Sequence, residues 1–198
     1  MKRVIAIVFL RLTGWRTIGG EPETHRCVIV AAPHTSNWDL IFMLAFAWRF
    51  RLRPRFMMKH TMFVGPLGWL FRSLGGIAIV RHQRRGVVQQ CCDAFEAERD
   101  LTLVVPPEGT RSAAPYWKSG FYQIALAAGV PVQLSALDYG RKEGGFGPAL
   151  KLSGDPRQDM EKVRLFYEGK RGLKPELAGP IRLREESEAP VEAAGGRG

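Results

Sequence analysis

The chain has 198 residues, 45% hydrophobic and 24% charged, which suits one domain with a buried core, or one domain with a tail. Its net charge is +10. The excess of positive charge lies in residues 1–90, which contain 14 Lys and Arg but only 3 acidic residues. Such a basic field concentrates anionic partners: phospholipid surfaces, nucleic acids or phosphorylated metabolites.

In chain order, strand-like apolar runs alternate with helical ones. Strands are predicted at 27–32, 55–59, 77–80, 101–105, 130–137 and 149–153, and helices at 40–50, 63–74, 87–98, 121–128 and 160–167. Pro106-Pro107 ends one strand, and Gly129 ends one helix. The alternation predicts an α/β fold in which helices flank one largely parallel or mixed central sheet.

One domain is predicted over residues 1–180, with residues 1–20 as a candidate interfacial helix. From about Pro180 the chain turns to Glu, Ala, Gly and Arg, so residues 181–198 are predicted to be a disordered tail. No apolar run reaches the roughly 20 residues of a membrane-spanning helix. The apolar start ends at Arg11 without a small-residue cleavage site, which argues against export and favours a cytoplasmic location.

The cysteines and histidines indicate neither a disulfide framework nor a metal site. Cys27, Cys91 and Cys92 are odd in number, and two are adjacent on a helical pattern, which predicts reduced thiols. The histidines never approach the cysteines at ligand spacing, so no metal and no cofactor are expected.

His34 and Asp39 form the first cluster with chemical potential. His34 is expected in the loop after a strand, and Asp39 in the first turn of the next helix. From there the carboxylate can reach back to one imidazole nitrogen and prepare the other as a general base. Ser36-x-x-Asp39 also resembles a helix-capping arrangement, so a purely structural role for Asp39 stays open.

Glu108-Gly109-Thr110-Arg111 is the second cluster. Gly109 allows close backbone approach, Thr110 offers a hydroxyl, and Arg111 suits a bidentate phosphate contact. The alternative is an ordinary polar turn in which Glu108 and Arg111 form a surface ion pair. His34, Arg81 and Glu108 each follow a predicted strand, so they are expected on one rim of the sheet.

Four ordered blocks resemble the glycerolipid acyltransferase family, which includes the 1-acylglycerol-3-phosphate acyltransferases. They are the His34-x4-Asp39 pair, Gly76 to Arg81, Pro107 to Ser112, and Val130-Pro131-Val132. Together they cover about residues 27–140. Pro33 stands where family members often have Asn, and Pro106 where they often have Phe, and neither departure removes a catalytic group.

The resemblance implies acyl transfer in phospholipid biosynthesis. It implies that His34 is the base and Asp39 its orienting partner. The residues implied to shape the site for the phosphorylated acceptor are Arg81, Glu108, Gly109, Thr110 and Arg111. Val130-Pro131 would support the site or the acyl-donor region. The sequence does not identify the oxyanion stabiliser, and backbone N–H groups near Gly109 are one candidate for it.

The implied acceptor is a lysophospholipid, foremost 1-acylglycerol-3-phosphate, and the donor acyl-CoA or acyl-carrier protein. Such an acceptor has one end in lipid, so we expect a peripheral protein on the inner face of the cell membrane. The basic and aromatic segment 48–59 is predicted to contact this anionic surface, together with the apolar N-terminal segment.

Two other functions remain open at this point. The first is an acyltransferase for a different lysolipid acceptor. The second is a basic nucleic-acid-binding module without catalysis, suggested by a pI of about 10.0. No recognition helix, zinc finger or aromatic RNA motif supports this module, so no specific nucleic-acid partner is expected.

Overall fold

The fold is given by a computed structural model, which describes residues 1–79, 84–110 and 112–187. Within these residues one sheet contains β1 (Arg16–Ile18), β2 (Cys27–Ala32), β3 (Pro54–Lys59), β4 (Gly76–Ile79), β5 (Thr102–Val105), β6 (Val132–Asp138) and β7 (Glu143–Leu150). The helices are α1 (Lys2–Leu12), α2 (Trp38–Arg49), α3 (Gly65–Ser73), α4 (Arg84–Ala97), α5 (Gly120–Ala128) and α6 (Pro156–Tyr167). Short 3-10 turns occur at His60–Met62, Pro175–Leu177 and Arg184–Ser187.

The strands follow the spatial order β1-β7-β6-β2-β5-β3-β4. β2 pairs in parallel with both β5 and β6, and β3 pairs in parallel with both β4 and β5. β7 is antiparallel to β6 and parallel to β1, so these two strands oppose the other five. The predicted α/β fold with a largely parallel or mixed sheet is therefore confirmed.

Helices cover both faces of the sheet. Val28, Val30 and Leu134 point to one side, where α4, α5 and α6 cover them, and we call this side the α6 face. Ile29 and Val104 belong to the other side, which α1 and α2 cover, and we call it the α2 face. Because neighbouring residues of a strand point to opposite sides, a strand covered on both sides is apolar throughout. This burial explains the unbroken apolar run of β2.

The last strand differs from the prediction. A strand was expected at 149–153, whereas β7 begins at Glu143 and forms a hairpin with β6. Its glycines allow close helix packing: a Cβ at Gly144 would lie 2.3 Å from a ring carbon of Phe46, and one at Gly147 would lie 2.2 Å from a ring carbon of Phe166. A glycine-rich strand lacks the β-branched pattern on which strand prediction depends.

The packed domain extends beyond residue 180, the predicted boundary. Leu183 is fully buried and forms a bridge with Trp117, and Glu186 accepts a 2.6 Å hydrogen bond from Arg164. The described domain thus reaches Ser187, because one buried leucine anchors a segment whose composition is otherwise polar. Residues 188–198 of the predicted tail lie outside the described residues.

Two aromatic residues predicted to contact a membrane belong to the core instead. Phe50 and Phe56 are 8% and 4% exposed and pack on the α2 face, so they cannot anchor the chain to a surface. Among the helices that the structure describes, none combines the length and apolarity needed to cross a bilayer.

Candidate active site

His34 and Asp39 meet at the carboxyl end of β2. The strand ends at Ala32, a cis peptide bond leads to Pro33, and His34 lies in the loop before α2. Asp39 occupies the first turn of α2, and its Oδ2 lies 3.0 Å from His34 Nδ1. This is the geometry predicted from the sequence, with the carboxylate reaching back to the loop.

Asp39 accepts hydrogen bonds at both carboxylate oxygens. Oδ2 also accepts from the backbone N–H groups of Thr35 and Ser36, each at 2.9 Å. Oδ1 accepts from the Tyr139 hydroxyl at 2.7 Å. Asp39 therefore fulfils both alternatives left open by the sequence: it binds the loop backbone as a capping residue does, and it also holds the imidazole.

These hydrogen bonds determine the charge of Asp39. Its side chain is buried, and burial alone would raise the pKa. The hydrogen bonds from His34, Tyr139 and the Ser36 backbone outweigh burial, so the pKa of Asp39 lies below its ordinary value of 3.8. The carboxylate is therefore ionised at neutral pH and can stabilise a protonated imidazole.

Glu108 lies beneath the loop rather than at the surface. Its Oε1 accepts a 3.0 Å hydrogen bond from the backbone N–H of His34, and the residue is 5% exposed. Burial raises the pKa of this carboxyl above its ordinary value. Since so little of Glu108 is exposed, its contact in the structure is with the loop that carries His34, and its predicted part in acceptor binding stays a prediction.

Gly109 and Thr110 line the same cavity as His34. Gly109 has a φ of +66°, and a Cβ there would lie 3.0 Å from Lys118 Cγ, so glycine suits this turn. Its N–H donates to the Pro106 carbonyl at 3.2 Å. The turn thus uses the Gly109 N–H itself, and a role of neighbouring backbone N–H groups as oxyanion donors stays a prediction.

The remaining predicted residues are Arg81, Arg111 and Val130-Pro131. Arg81 and Arg111 lie outside the described residues. Val130-Pro131 precedes β6, where the Pro131 carbonyl accepts from the N–H of Val28, near the start of β2. His34 follows the other end of β2, so Val130-Pro131 does not contact the His34 loop, and its alternative role in the acyl-donor region stays a prediction. This block instead helps to align β6 with β2.

A cavity of about 690 Å³ opens beside His34 on the α2 face. Apolar side chains form most of its wall, with His34, Asp39, Lys59 and Thr110 among the polar exceptions. Contributors from α2 and the strands include Leu40, Met43, Phe46, Phe56, Met58 and Leu137. Ligand pockets commonly measure about 300–1,000 Å³ and combine an apolar wall with a few polar groups. The cavity thus suits a ligand with a long apolar part.

Some contacts that shape the site involve residues outside the sequence motifs. Tyr139 lies 100 residues from Asp39, and only the pairing of β6 with β2 brings the two together. The Thr35 hydroxyl accepts from the Lys174 N–H at 3.2 Å, so a segment after α6 also holds the loop that carries His34. For Tyr139, its position just beyond a parallel strand was the one available indication.

A sequence model of the family described as "Acyltransferase" matches residues 18–134, more than half of the chain. The chain belongs to the acyltransferase family. This confirms the family that the ordered motifs predicted, and this acyltransferase keeps His34, Asp39 and Glu108 within the matched region. No curated protein sequence matches the chain significantly.

A solved structure supports the fold of this acyltransferase. It is the crystal structure of the 1-acyl-sn-glycerophosphate (LPA) acyltransferase, PlsC, from Thermotoga maritima, with a TM-score of 0.55 and 19% sequence identity. The similarity covers 82% of this chain and 73% of that chain. The two proteins therefore share the α/β architecture.

Proposed function

We propose that this acyltransferase moves a fatty acyl group from a thioester donor to the free hydroxyl of a lysophospholipid, with 1-acylglycerol-3-phosphate as the foremost acceptor. The donor is acyl-CoA or acyl-carrier protein, both of which carry the acyl group on a thiol. The main support is the His34–Asp39 pair at 3.0 Å, placed in the wall of a largely apolar cavity.

His34 acts as the general base in this reaction. Because its Nδ1–H donates to Asp39, the other ring nitrogen, Nε2, carries the lone pair. Nε2 takes the proton of the acceptor hydroxyl while that oxygen attacks the thioester carbonyl. The C–S bond then breaks, the imidazolium returns its proton to the leaving thiolate, and the products are an ester and a free thiol.

Asp39 stabilises the imidazolium that forms during transfer. It is buried, ionised and held by four donors, so it needs no rearrangement when the positive charge appears on His34. Glu108 supports the same step from below because it fixes the His34 backbone. The reaction needs no covalent acyl-enzyme, since the acceptor hydroxyl attacks the donor directly.

The test is His34→Ala, assayed with a mixed lysolipid extract and each donor, with products identified by mass. We expect loss of turnover by about 10²–10⁴-fold with folding intact. His25→Ala is the matched control, because His25 is half-exposed and pairs with Glu21 at 3.6 Å, away from the cavity. Parent-level turnover in the purified His34→Ala protein would show that the base is misassigned.

The same assay decides the acceptor. Acylation of 1-acylglycerol-3-phosphate alone supports the proposal as stated. Acylation of another lysolipid would keep the enzyme and replace the acceptor, and no product from any lysolipid would contradict the proposed function.

We further propose that the acyltransferase works while bound peripherally to an anionic membrane surface on the cytoplasmic side. Five apolar residues of the segment 62–70 are at least 42% exposed: Met62, Val64, Leu67, Trp69 and Leu70. Lys59, His60 and Arg72 flank this exposed patch. Met62 and Phe71 also line the cavity, so the patch adjoins the space proposed for the lipid chain. Exposed apolar residues bordered by cations suit a surface of anionic lipid.

Sedimentation with phosphatidylglycerol vesicles tests this surface. We expect Leu67→Glu combined with Trp69→Glu to weaken vesicle binding at least about tenfold, because charges replace the residues that would enter the lipid. The control is Leu165→Glu, which places the same charge at an equally exposed leucine of α6. Unchanged binding of the double variant, or an equal loss with Leu165→Glu, would contradict the proposed surface.

A further inference from the structure

We propose that Tyr139 is a positioning residue for acyl transfer, forming with Asp39 and His34 a chain of three hydrogen-bonded side chains. This inference rests on the proposed role of His34 as the base. Nothing in the motif pattern of the sequence assigns a role to Tyr139, which directly follows β6.

The two carboxylate oxygens of Asp39 have different hydrogen-bond partners. Oδ2 faces the catalytic loop and accepts from His34 Nδ1 and from two backbone N–H groups. Oδ1 accepts from the Tyr139 hydroxyl at 2.7 Å, a short bond of the kind expected with a charged acceptor. Since Asp39 is 4% exposed, water has little access to replace that donor. Tyr139 thus fixes the carboxylate rotation that points Oδ2 at the imidazole.

Neighbouring rings hold the Tyr139 side chain in place. Its ring packs edge-on against Trp15, with centroids 4.9 Å apart, and against Phe42, with centroids 5.8 Å apart. Trp15 and Phe42 are themselves buried in the core of the α2 face. A tyrosine held in this way has already lost its rotational freedom, so its hydroxyl meets Asp39 without a further entropic cost.

The backbone of Tyr139 is held as firmly as its ring. Its N–H donates to the Arg171 carbonyl at 2.9 Å. The preceding residue, Asp138, is 2% exposed, and its Oδ1 accepts from the N–H groups of Gly140 and Arg141 at 3.0 and 3.3 Å. Asp138 therefore stabilises the turn that presents Tyr139 to the active site.

A second buried tyrosine–aspartate pair provides a matched control. The Tyr122 hydroxyl donates to Asp159 Oδ2 at 2.9 Å on the α6 face, and Asp159 is 1% exposed. Neither residue lines the cavity. Tyr122→Phe removes the same type of bond as Tyr139→Phe, but far from His34. Comparing the two variants therefore distinguishes an effect on kcat from a general loss of stability.

The experiment compares both phenylalanine variants in steady-state kinetics. For Tyr139→Phe we expect kcat to fall about tenfold, with the donor KM within about twofold, since a hydrogen bond to a charged group is lost while the ring remains. For Tyr122→Phe we expect unchanged kcat. Both variants should lose thermal stability to a similar extent.

The pH dependence of activity distinguishes a positioning role from a purely structural one, because a purely structural role of Tyr139 would not shift it. Tyr139 is among the donors that lower the pKa of Asp39, so its loss raises that pKa, and the loss of activity that accompanies protonation of Asp39 should begin at a higher pH in Tyr139→Phe alone. The groups facing Asp39 are His34 and Thr35–Ser36 of the loop, Glu108 after β5 and Tyr139 after β6. Lys59 lines the same cavity. The profile of Tyr122→Phe keeps all of them and serves as the reference.

Parent-like kcat and pH profile in Tyr139→Phe would overturn the inference, and so would the same loss of kcat in Tyr122→Phe.

The ring-nitrogen NMR signals of His34 test the hydrogen-bonded chain in the absence of substrate. They should change in Tyr139→Phe and stay unchanged in Tyr122→Phe. An inactive parent protein whose His34 signals follow this pattern would contradict the proposed function and still support the hydrogen-bonded chain. Unchanged signals would contradict the chain itself.

Discussion

The two faces of the sheet are built from the same alternating strands, yet they differ in how completely their helices fill them. On the α6 face, large side chains such as Phe95, Phe121 and Leu134 are fully buried among three helices. On the α2 face, the space between α2 and the strands forms much of a cavity of about 690 Å³. Close packing stabilises a domain, whereas a ligand needs unfilled space, so the chain divides the two tasks between its faces.

Each face also buries an aspartate that is hydrogen-bonded to a tyrosine. Asp159 accepts from Tyr122 and from the Ser153 hydroxyl and N–H, which ties the start of α6 to the preceding loop. Asp39 accepts from Tyr139 and additionally from His34. The same chemical pair is a structural tie on one face and part of the proposed catalytic site on the other. The difference lies in the imidazole and the cavity beside Asp39.

Replacing each aspartate by asparagine should give the largest difference in kcat between the two faces. Asp39→Asn removes the charge that stabilises the imidazolium, and we expect kcat to fall about 10²–10⁴-fold. Asp159→Asn should leave kcat unchanged and cost about 1–3 kcal/mol of unfolding free energy, because a buried network loses its charged acceptor. Kinetics and thermal denaturation of both variants check this pair of expectations. A comparable loss of kcat in Asp159→Asn would show that the two faces are not functionally separate.

The sequence predicted the α/β fold well because its strands and helices are strongly apolar and punctuated by Gly and Pro. β2, with its β-branched residues, and α5, which ends at Gly129 with a φ of +63°, are clear examples. The parts that were missed depend on tertiary contacts. β1 has three residues and is stabilised by β7, and the glycines of β7 are explained by rings that lie on two helices.

The site was predictable where its partners are close in sequence. His34 and Asp39 are five residues apart, so loop and helix geometry sufficed to predict their contact. Tyr139 and Glu108 are 100 and 74 residues from their partners, and their contacts follow from the order of β6, β2 and β5 in the sheet. A motif identified Glu108 but not what it contacts, since its position beneath His34 depends on burial, which the sequence alone does not define.

The two carboxylates of the site respond to burial in opposite ways. Hydrogen bonds hold the pKa of Asp39 below 3.8, so the ionised group adds stability that is lost only as pH falls through that lowered value. Burial raises the pKa of Glu108 above 4.5, so its ionised form is disfavoured in the fold. The stability linked to Glu108 is fully present below pH 4.5 and is lost as pH rises through the raised value.

Glu108→Gln should therefore have the smallest effect on kcat of these changes. It should also make the folded protein more stable at neutral pH. Its amide oxygen can still accept from the His34 N–H, so we expect a much smaller loss of kcat than in Asp39→Asn. At neutral pH the Tm should rise by a few degrees, since roughly 1 kcal/mol moves the Tm of a chain of this size by about 2–4 °C. The gain should disappear below pH 4.5, where the parent carboxyl is protonated as well. Thermal denaturation across this pH range measures the effect, and a variant less stable than the parent at neutral pH would show that the Glu108 charge has a favourable partner in the folded protein.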